Sequence, residues 1–137
     1  RNTPLILETL NRSFRNPIGD RDGDLVREAV AEFGAAAERG AYALQTGDAP
    51  ALGEAMNAVQ RIYDINLAGN FTALNAPKLR QTVSLLLAES CLGAKFSGAG
   101  GDGSVVALFS DESAARGAAI DLEQRGFAAW YIPLSSV

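Results

Sequence analysis

Gly93-Ala94-Lys95-Phe96-Ser97-Gly98-Ala99-Gly100-Gly101-Asp102-Gly103-Ser104-Val105-Val106-Ala107-Leu108-Phe109 is the stretch that decides the fold. Two short apolar runs enclose Gly98, Gly100, Gly101 and Gly103, four glycines within six positions. Glycine loses more backbone entropy on ordering than any other residue, about 0.5–1 kcal/mol relative to alanine inside an element. A cluster of this density therefore marks positive φ angles or a close approach of main chain to something else. Exposed amides in such a turn form a nest for anions, phosphate above all. A plain hairpin needs only two turn residues, so a tight structural turn is the competing reading.

Working outward, Ala94–Ser97 and Ser104–Phe109 read as strands around this turn. Ser110 to Glu112 can cap a helix over 113–125, with Gly126 as its stop. Phe127–Leu134, with Trp130, Tyr131 and Ile132, reads as a last strand. Upstream the period is helical. Short apolar spacing predicts a helix over 5–12, and Pro17, Gly19, Asp20, Asp22 and Gly23 mark a loop over 16–23. A long helix is expected from about Asp24 to Gln45, with Leu25, Ala29, Phe33 and Ala36 on its apolar face. Thr46-Gly47-Asp48 breaks it; Asp48 is a fitting N-cap, and Pro50 sits in the first turn of the next helix. That helix carries Leu52, Met56, Val59 and Tyr63, and another is expected over 77–89.

The order is helices first, then strand, glycine turn, strand, helix, strand. It predicts an α+β fold: a ferredoxin-like two-layer sandwich with a helical N-terminal half and a mostly antiparallel sheet covered on one face by helices. Such a unit normally opens with one more strand, and none is evident near Arg1. The sheet is short, or that strand lies upstream. The start at Arg1 rather than Met suggests a fragment or a processed piece.

Bulk properties narrow the function. The 137 residues suit one domain with a real core. The composition is 47% hydrophobic and 20% charged, ordinary for a globular protein. A net charge of -4 and the lack of any basic run argue against nucleic acid. No apolar stretch reaches the roughly 20 residues that span a bilayer, and no membrane partner is expected. Without histidine, serine–histidine and cysteine–histidine catalysis and histidine-ligated metals are excluded, and no metal ligands are assigned. Cys91 is the lone cysteine; it is a reactive thiol or a small buried hydrophobe, and only Lys95 is near in sequence to activate it. The absence of a disulfide fits a reducing, cytoplasmic setting.

Three phosphate motifs compete for the glycine turn. Gly98-x-Gly100-x-x-Gly103 spells the dinucleotide fingerprint, but a strand follows where that fingerprint demands a helix. Gly93 and Gly98 have Walker spacing, yet Ala99 and Gly100 replace the required Lys and Ser/Thr. The third match is broader. Gly93–Ser97 leading into Gly98-Ala99-Gly100-Gly101, and leaving by an apolar strand, resembles the C-terminal glycine motif of the GHMP small-molecule kinases, the family of galactokinase, homoserine kinase, mevalonate kinase and phosphomevalonate kinase. Thr46-Gly47-Asp48 followed by Leu52-Gly53-Glu54-Ala55-Met56-Asn57 is similar to the family's helix start after a Gly-Asp pair. Asn2-Thr3 with Leu5-Ile6-Leu7 is similar to the segment that opens the domain.

The resemblance implies the C-terminal domain of an ATP-dependent kinase over residues 1–137. Such a kinase transfers the γ-phosphate to a hydroxyl or phosphate of a sugar, sugar acid or mevalonate-type acceptor. The family's phosphate loop and its catalytic carboxylate belong to an N-terminal domain, and neither is visible here. ATP and Mg²⁺ would be bound mainly by that domain, which is the expected partner together with the acceptor; a homodimer is also expected to be accessible. The fragment alone is expected to be inactive. Residues implied to line the phosphate and acceptor site are Lys95, Ser97, Gly98, Ala99, Gly100, Gly101, Asp102, Gly103 and Ser104. Asp102 departs from the usual glycine. It holds Mg²⁺ through water, reads an acceptor hydroxyl, or is a solvent-facing turn residue. Lys95 reaches an anion or is a solvated strand residue; Ser97 and Ser104 donate to phosphate or serve as ordinary strand ends. Asn70, Asn75 and Lys78 fall in the loop that approaches the acceptor in the family. The acceptor hints conflict: Lys95-Phe96-Ser97-Gly98 and Gly126-Phe127 look like glucuronokinases, and Gly53–Asn57 like mevalonate kinases. The alternative function is a non-catalytic ferredoxin-like module for metabolite binding or dimerisation.

Overall fold

The computed structural model describes residues 3–98 and 103–134. Its order is α1 (Thr3–Phe14), α2 (Arg21–Thr46), α3 (Ala49–Ile62), a π-helical stretch (Tyr63–Ala68), a 3₁₀ turn (Thr72–Leu74), α4 (Pro77–Ala88), β1 (Gly93–Ser97), β2 (Ser104–Leu108) and α5 (Glu112–Gln124). The chain is α+β, with helices filling the first two-thirds. Among the described residues no helix is long and apolar enough to cross a membrane.

Local chemistry accounts for most boundaries. α2 starts three residues earlier than the apolar period suggests, because Asp20 caps it by accepting from the Gly23 amide at 2.8 Å. Asn16 steadies that carboxylate from 3.0 Å. At the other end Gly47 takes φ +69° and the helix stops. Asp48 then caps α3 through the Ala51 amide at 2.9 Å, with Pro50 in the first turn. Asp111 caps α5 through Ala114, and Gly126 at φ +84° follows its end.

α2 and α3 pack along small residues. Val26, Ala29, Ala36, Gly40 and Ala43 are buried at helical spacing on α2, and a Cβ at Gly40 would lie 3.6 Å from Leu52. The main core joins Ile6, Val26 and Ala29 to Tyr63, Leu67, Leu74, Val83 and Leu86, and to Ala94 and Phe96 of β1. α3, the π stretch and α4 thus form the helical layer beneath the hairpin.

β1 and β2 pair antiparallel, Gly93 opposite Leu108, Lys95 opposite Val106, and Ser97 opposite Ser104. In sequence, residues 98–103 link the two strands. The core-facing row is Ala94, Phe96, Val105 and Ala107.

One expectation fails. Residues 127–134 have no regular secondary structure, and the sheet among the described residues has two strands. A strand is defined by main-chain bonds to a neighbour, and Phe127–Leu134 meets no such neighbour here. α5 is correspondingly loose, with Ala118 as its one buried residue.

Candidate functional site: the hairpin and the helix that seals its edge

α3 runs along the free edge of β1 and approaches it main chain to main chain. A Cβ at Gly53 would stand 2.4 Å from the Leu92 carbonyl oxygen, and one at Gly93 would stand 2.3 Å from the Gly53 oxygen. Both distances are inside van der Waals contact, so glycine is required at both positions. This contact sets the helix close enough for its side chains to replace a strand.

They do so in sequence. Asn57 Oδ1 accepts from the Ala94 amide at 3.1 Å, and its Nδ2 donates to the Leu92 carbonyl at 3.2 Å. Gln60 Oε1 accepts from the Phe96 amide at 2.8 Å. Gln60 Nε2 donates in turn to Asp64 Oδ2 at 3.2 Å. Asp64 Oδ1 then receives Arg80 of α4 through Nε at 3.2 Å and a terminal nitrogen at 3.1 Å. Gly53, Asn57, Gln60 and Asp64 are spaced four, three and four apart, one stripe of a helix. Asn57 and Gln60 stand in the sequence as uncharged polar residues at helical spacing, but sequence reading assigned them no role.

The π stretch continues this helix and carries Tyr63 into the core. Tyr63 packs edge-on to Phe96, ring centroids 5.2 Å apart, and its hydroxyl donates to the Leu74 carbonyl at 3.0 Å. A π turn inside a helix shifts the register of the residues beyond it; here Asn66 comes inward, donating to Glu28 of α2 at 2.9 Å. The base of the hairpin is therefore held by hydrogen bonds on its edge and by an aromatic contact on its face.

Of the residues expected at the glycine turn, Ala99, Gly100, Gly101 and Asp102 lie outside the described residues. Gly98 has φ +79°, which L side chains rarely adopt, and no atom of the described residues lies within 4 Å of where its Cβ would be. Ser97 and Ser104 face each other in register at the mouth of the turn, both exposed. Gly103 follows the turn and is exposed. Lys95 is half-buried, and burial pushes its ammonium below the usual lysine range. Its Nζ donates to the Phe96 carbonyl at 2.6 Å.

The other candidates separate from this group. Asn70 is occupied in the helix junction: it donates to the Ile65 carbonyl at 2.8 Å and accepts from Arg21 at 3.2 Å. Asn75 and Lys78 are exposed at the start of α4. Cys91 is partly buried against the core, and burial raises its thiol pKa, which favours the packing role over the reactive one. Among the described residues no group of three or more His, Cys, Asp or Glu side chains converges. An open groove of about 540 Å³ lies on the far side of α2 and α3, lined by Glu38, Arg39, Tyr42, Glu54 and Arg61; none of the described hairpin residues borders it.

An α+β domain with a glycine-turn hairpin on a helical layer is thus the class of protein in hand. The family model for the C-terminal domain of GHMP kinases matches residues 41–126, from the last turns of α2 through Gly126, well over half of the chain. The chain belongs to this family. No curated protein and no solved structure matches it.

Proposed function

We propose that this chain is the acceptor-side domain of an ATP-dependent small-molecule kinase acting on a hydroxyl or phosphate of a sugar, sugar acid or mevalonate-type acceptor. The observation that carries the reading is the family match across the hairpin, joined to a turn whose first glycine has positive φ. Phosphoryl transfer depends on positioning and charge stabilisation rather than on covalent chemistry by the protein, so a domain without histidine can take part.

The donor set fits an anion. Main-chain amides of the turn and the hydroxyls of Ser97 and Ser104 can all donate to phosphate oxygens. Mg²⁺ is commonly held by one or two carboxylates and by substrate phosphates. ATP and Mg²⁺ then belong mainly to a kinase domain on the same polypeptide, where they supply the transferable phosphoryl group and neutralise its charge. The work of this chain is to hold the turn rigidly against that domain. The Asn57 and Gln60 bonds to β1, and the Gly53–Gly93 contact, fix the hairpin's height above the helices. The glycines leave the tip bare so that anion or partner loop approaches the main chain.

The test is Gly100→Val in the full kinase. A side chain that blocks the approach of the transferring group to the main-chain donors should lower kcat by about 10²–10³-fold, with the fold intact by circular dichroism. The 137-residue chain alone should show no phosphotransfer. Unchanged turnover in Gly100→Val rejects the role given to the turn.

A further inference from the structure

The junction of α3 and the π stretch holds Phe96 twice. Gln60 Oε1 accepts from the Phe96 amide at 2.8 Å, and the Tyr63 ring meets the Phe96 ring edge-on at 5.2 Å. Phe96 stands one residue before Ser97 and two before Gly98, so both contacts grip the strand just short of the glycine turn. Two links run outward from there. In the first, Gln60 Nε2 donates to Asp64 Oδ2 at 3.2 Å, and Asp64 Oδ1 takes Arg80 of α4 through Nε at 3.2 Å and a terminal nitrogen at 3.1 Å. In the second, the Tyr63 hydroxyl donates to the Leu74 carbonyl at 3.0 Å.

The two links end on either side of one short segment. Leu74 and Arg80 bracket residues 75–78. Leu74 and Ala76 are buried and anchor the segment from beneath, while Asn75 and Lys78 are exposed. It thus presents an amide and an ammonium on a fixed base, groups that bind hydroxyls and anions. Arg80 itself has no hydrogen bond to β1 among the described residues, so the Asp64 carboxylate is the joint, with one oxygen for Gln60 and the other for Arg80. Tyr63 and Asp64 are the first two residues of the π stretch, a rare turn that recurs at functional sites. Asn57, by contrast, bonds Leu92 and Ala94 and goes no further.

We propose that Tyr63 and Asp64 are positioning residues that lock segment 75–78 to the end of β1, so that an acceptor bound at Asn75 and Lys78 keeps a fixed distance from the glycine turn. The inference rests on the kinase reading. Both residues act through others: Tyr63 through Leu74, Asp64 through Gln60 and Arg80. Two links from one point to the two ends of a segment stop it from tilting as well as from sliding, which a single link does not. Phosphoryl transfer is exposed to such spacing, because misplacing a reacting group by about 1 Å costs about 100-fold in rate.

Two readouts test this. In the 137-residue chain, Arg80→Met cuts the Asp64 link at its α4 end. It should speed Phe96 amide exchange at least about tenfold and move the Ser97 amide resonance; a Phe96 amide that exchanges as in the wild type overturns the proposal. In the full kinase, with mevalonate or glucuronic acid as acceptor, Asp64→Ala, Arg80→Met and Tyr63→Phe should each raise the acceptor KM at least about fivefold and leave the KM for ATP within about twofold. Asp64→Ala with Arg80→Met should be little worse than either alone, since both cut one link. Arg80→Lys keeps a cation for Asp64 and should recover most of the loss. Asp48→Ala removes the cap at the far end of α3, so it lowers stability without touching either link and should leave both constants unchanged. An acceptor KM that rises in Asp48→Ala as it does in Asp64→Ala reports a structural brace only and overturns the proposal. Should Tyr63→Phe not fold, the Arg80 variants carry the test, at a side chain 44% exposed. An active kinase whose acceptor KM ignores all three variants sinks this inference alone. A polypeptide that phosphorylates no acceptor, while Phe96 exchange still answers to Arg80, sinks the kinase reading and leaves the link between segment and hairpin standing.

Discussion

Gln60→Met removes the acceptor from the Phe96 amide and leaves nearly everything else. Gln60 is buried, at 6% exposure, and its two side-chain bonds are the 2.8 Å bond from Phe96 and the 3.2 Å bond to Asp64. Methionine has similar length and volume, so packing should change little. A buried donor left without a partner costs about 1–3 kcal/mol, and the net value of the second bond adds about 0.5–1. The expected loss is therefore about 1.5–4 kcal/mol, a large share of the roughly 5–15 that hold a domain folded. In urea, with an m-value of about 1–3 kcal/mol/M, the midpoint should fall by about 0.5 M or more at unchanged m. Phe96 amide exchange should accelerate in step. Gln60→Glu separates the hydrogen bond from the charge. It keeps the acceptor but sets a carboxylate against Asp64, so its deficit should grow above about pH 5 and fade in acid. A midpoint shift under about 0.3 M for Gln60→Met would refute the claim that α3 stands in for a strand along β1.

Other outcomes rest on the same geometry. Gly53→Ala and Gly93→Ala would each drive a methyl into main chain, at 2.4 and 2.3 Å, and should cost at least the upper end of about 1–3 kcal/mol by denaturant titration. Gly34→Ala and Gly117→Ala meet nothing within 4 Å inside α2 and α5 and should stabilise by about 0.4–1 kcal/mol. Burial lowers the Lys95 pKa, so the folded state holds that proton less tightly than the unfolded chain and the group opposes folding at neutral pH. That opposition is relieved as pH rises through the folded value toward 10.5. Lys95→Met should thus match or exceed wild-type stability at pH 7, and a fall in turnover of the full kinase would then identify Lys95 as an anion contact. The Asp20 carboxyl is held low by Asn16 and the Gly23 amide, and the Asp111 carboxyl by Ala114 and Ser113. Their caps contribute fully above the ordinary aspartate value of 3.8 and are lost as pH falls through the folded values. An acid titration of α2 and α5 amide shifts should show this; caps that persist once both aspartates are protonated would contradict it.

What the sequence determined unaided was local. Asp48 with Pro50, Gly47 and Gly126 placed helix ends to within a residue or two, because capping and left-handed φ involve groups only a few positions apart. The hairpin around Gly98–Gly103 was legible for the same reason, and so was its likeness to the kinase motif. Asp20 escaped as a cap because Gly23 beside it reads as loop. Tertiary structure alone decided which backbone groups find partners. Asn57 and Gln60 reach Ala94 and Phe96 across a helix, a π stretch and a turn, and no periodicity encodes that pairing. Phe127–Leu134 has the composition of a strand, but a strand exists only where a second chain segment presents matching donors and acceptors, and that is settled in space, not along the sequence.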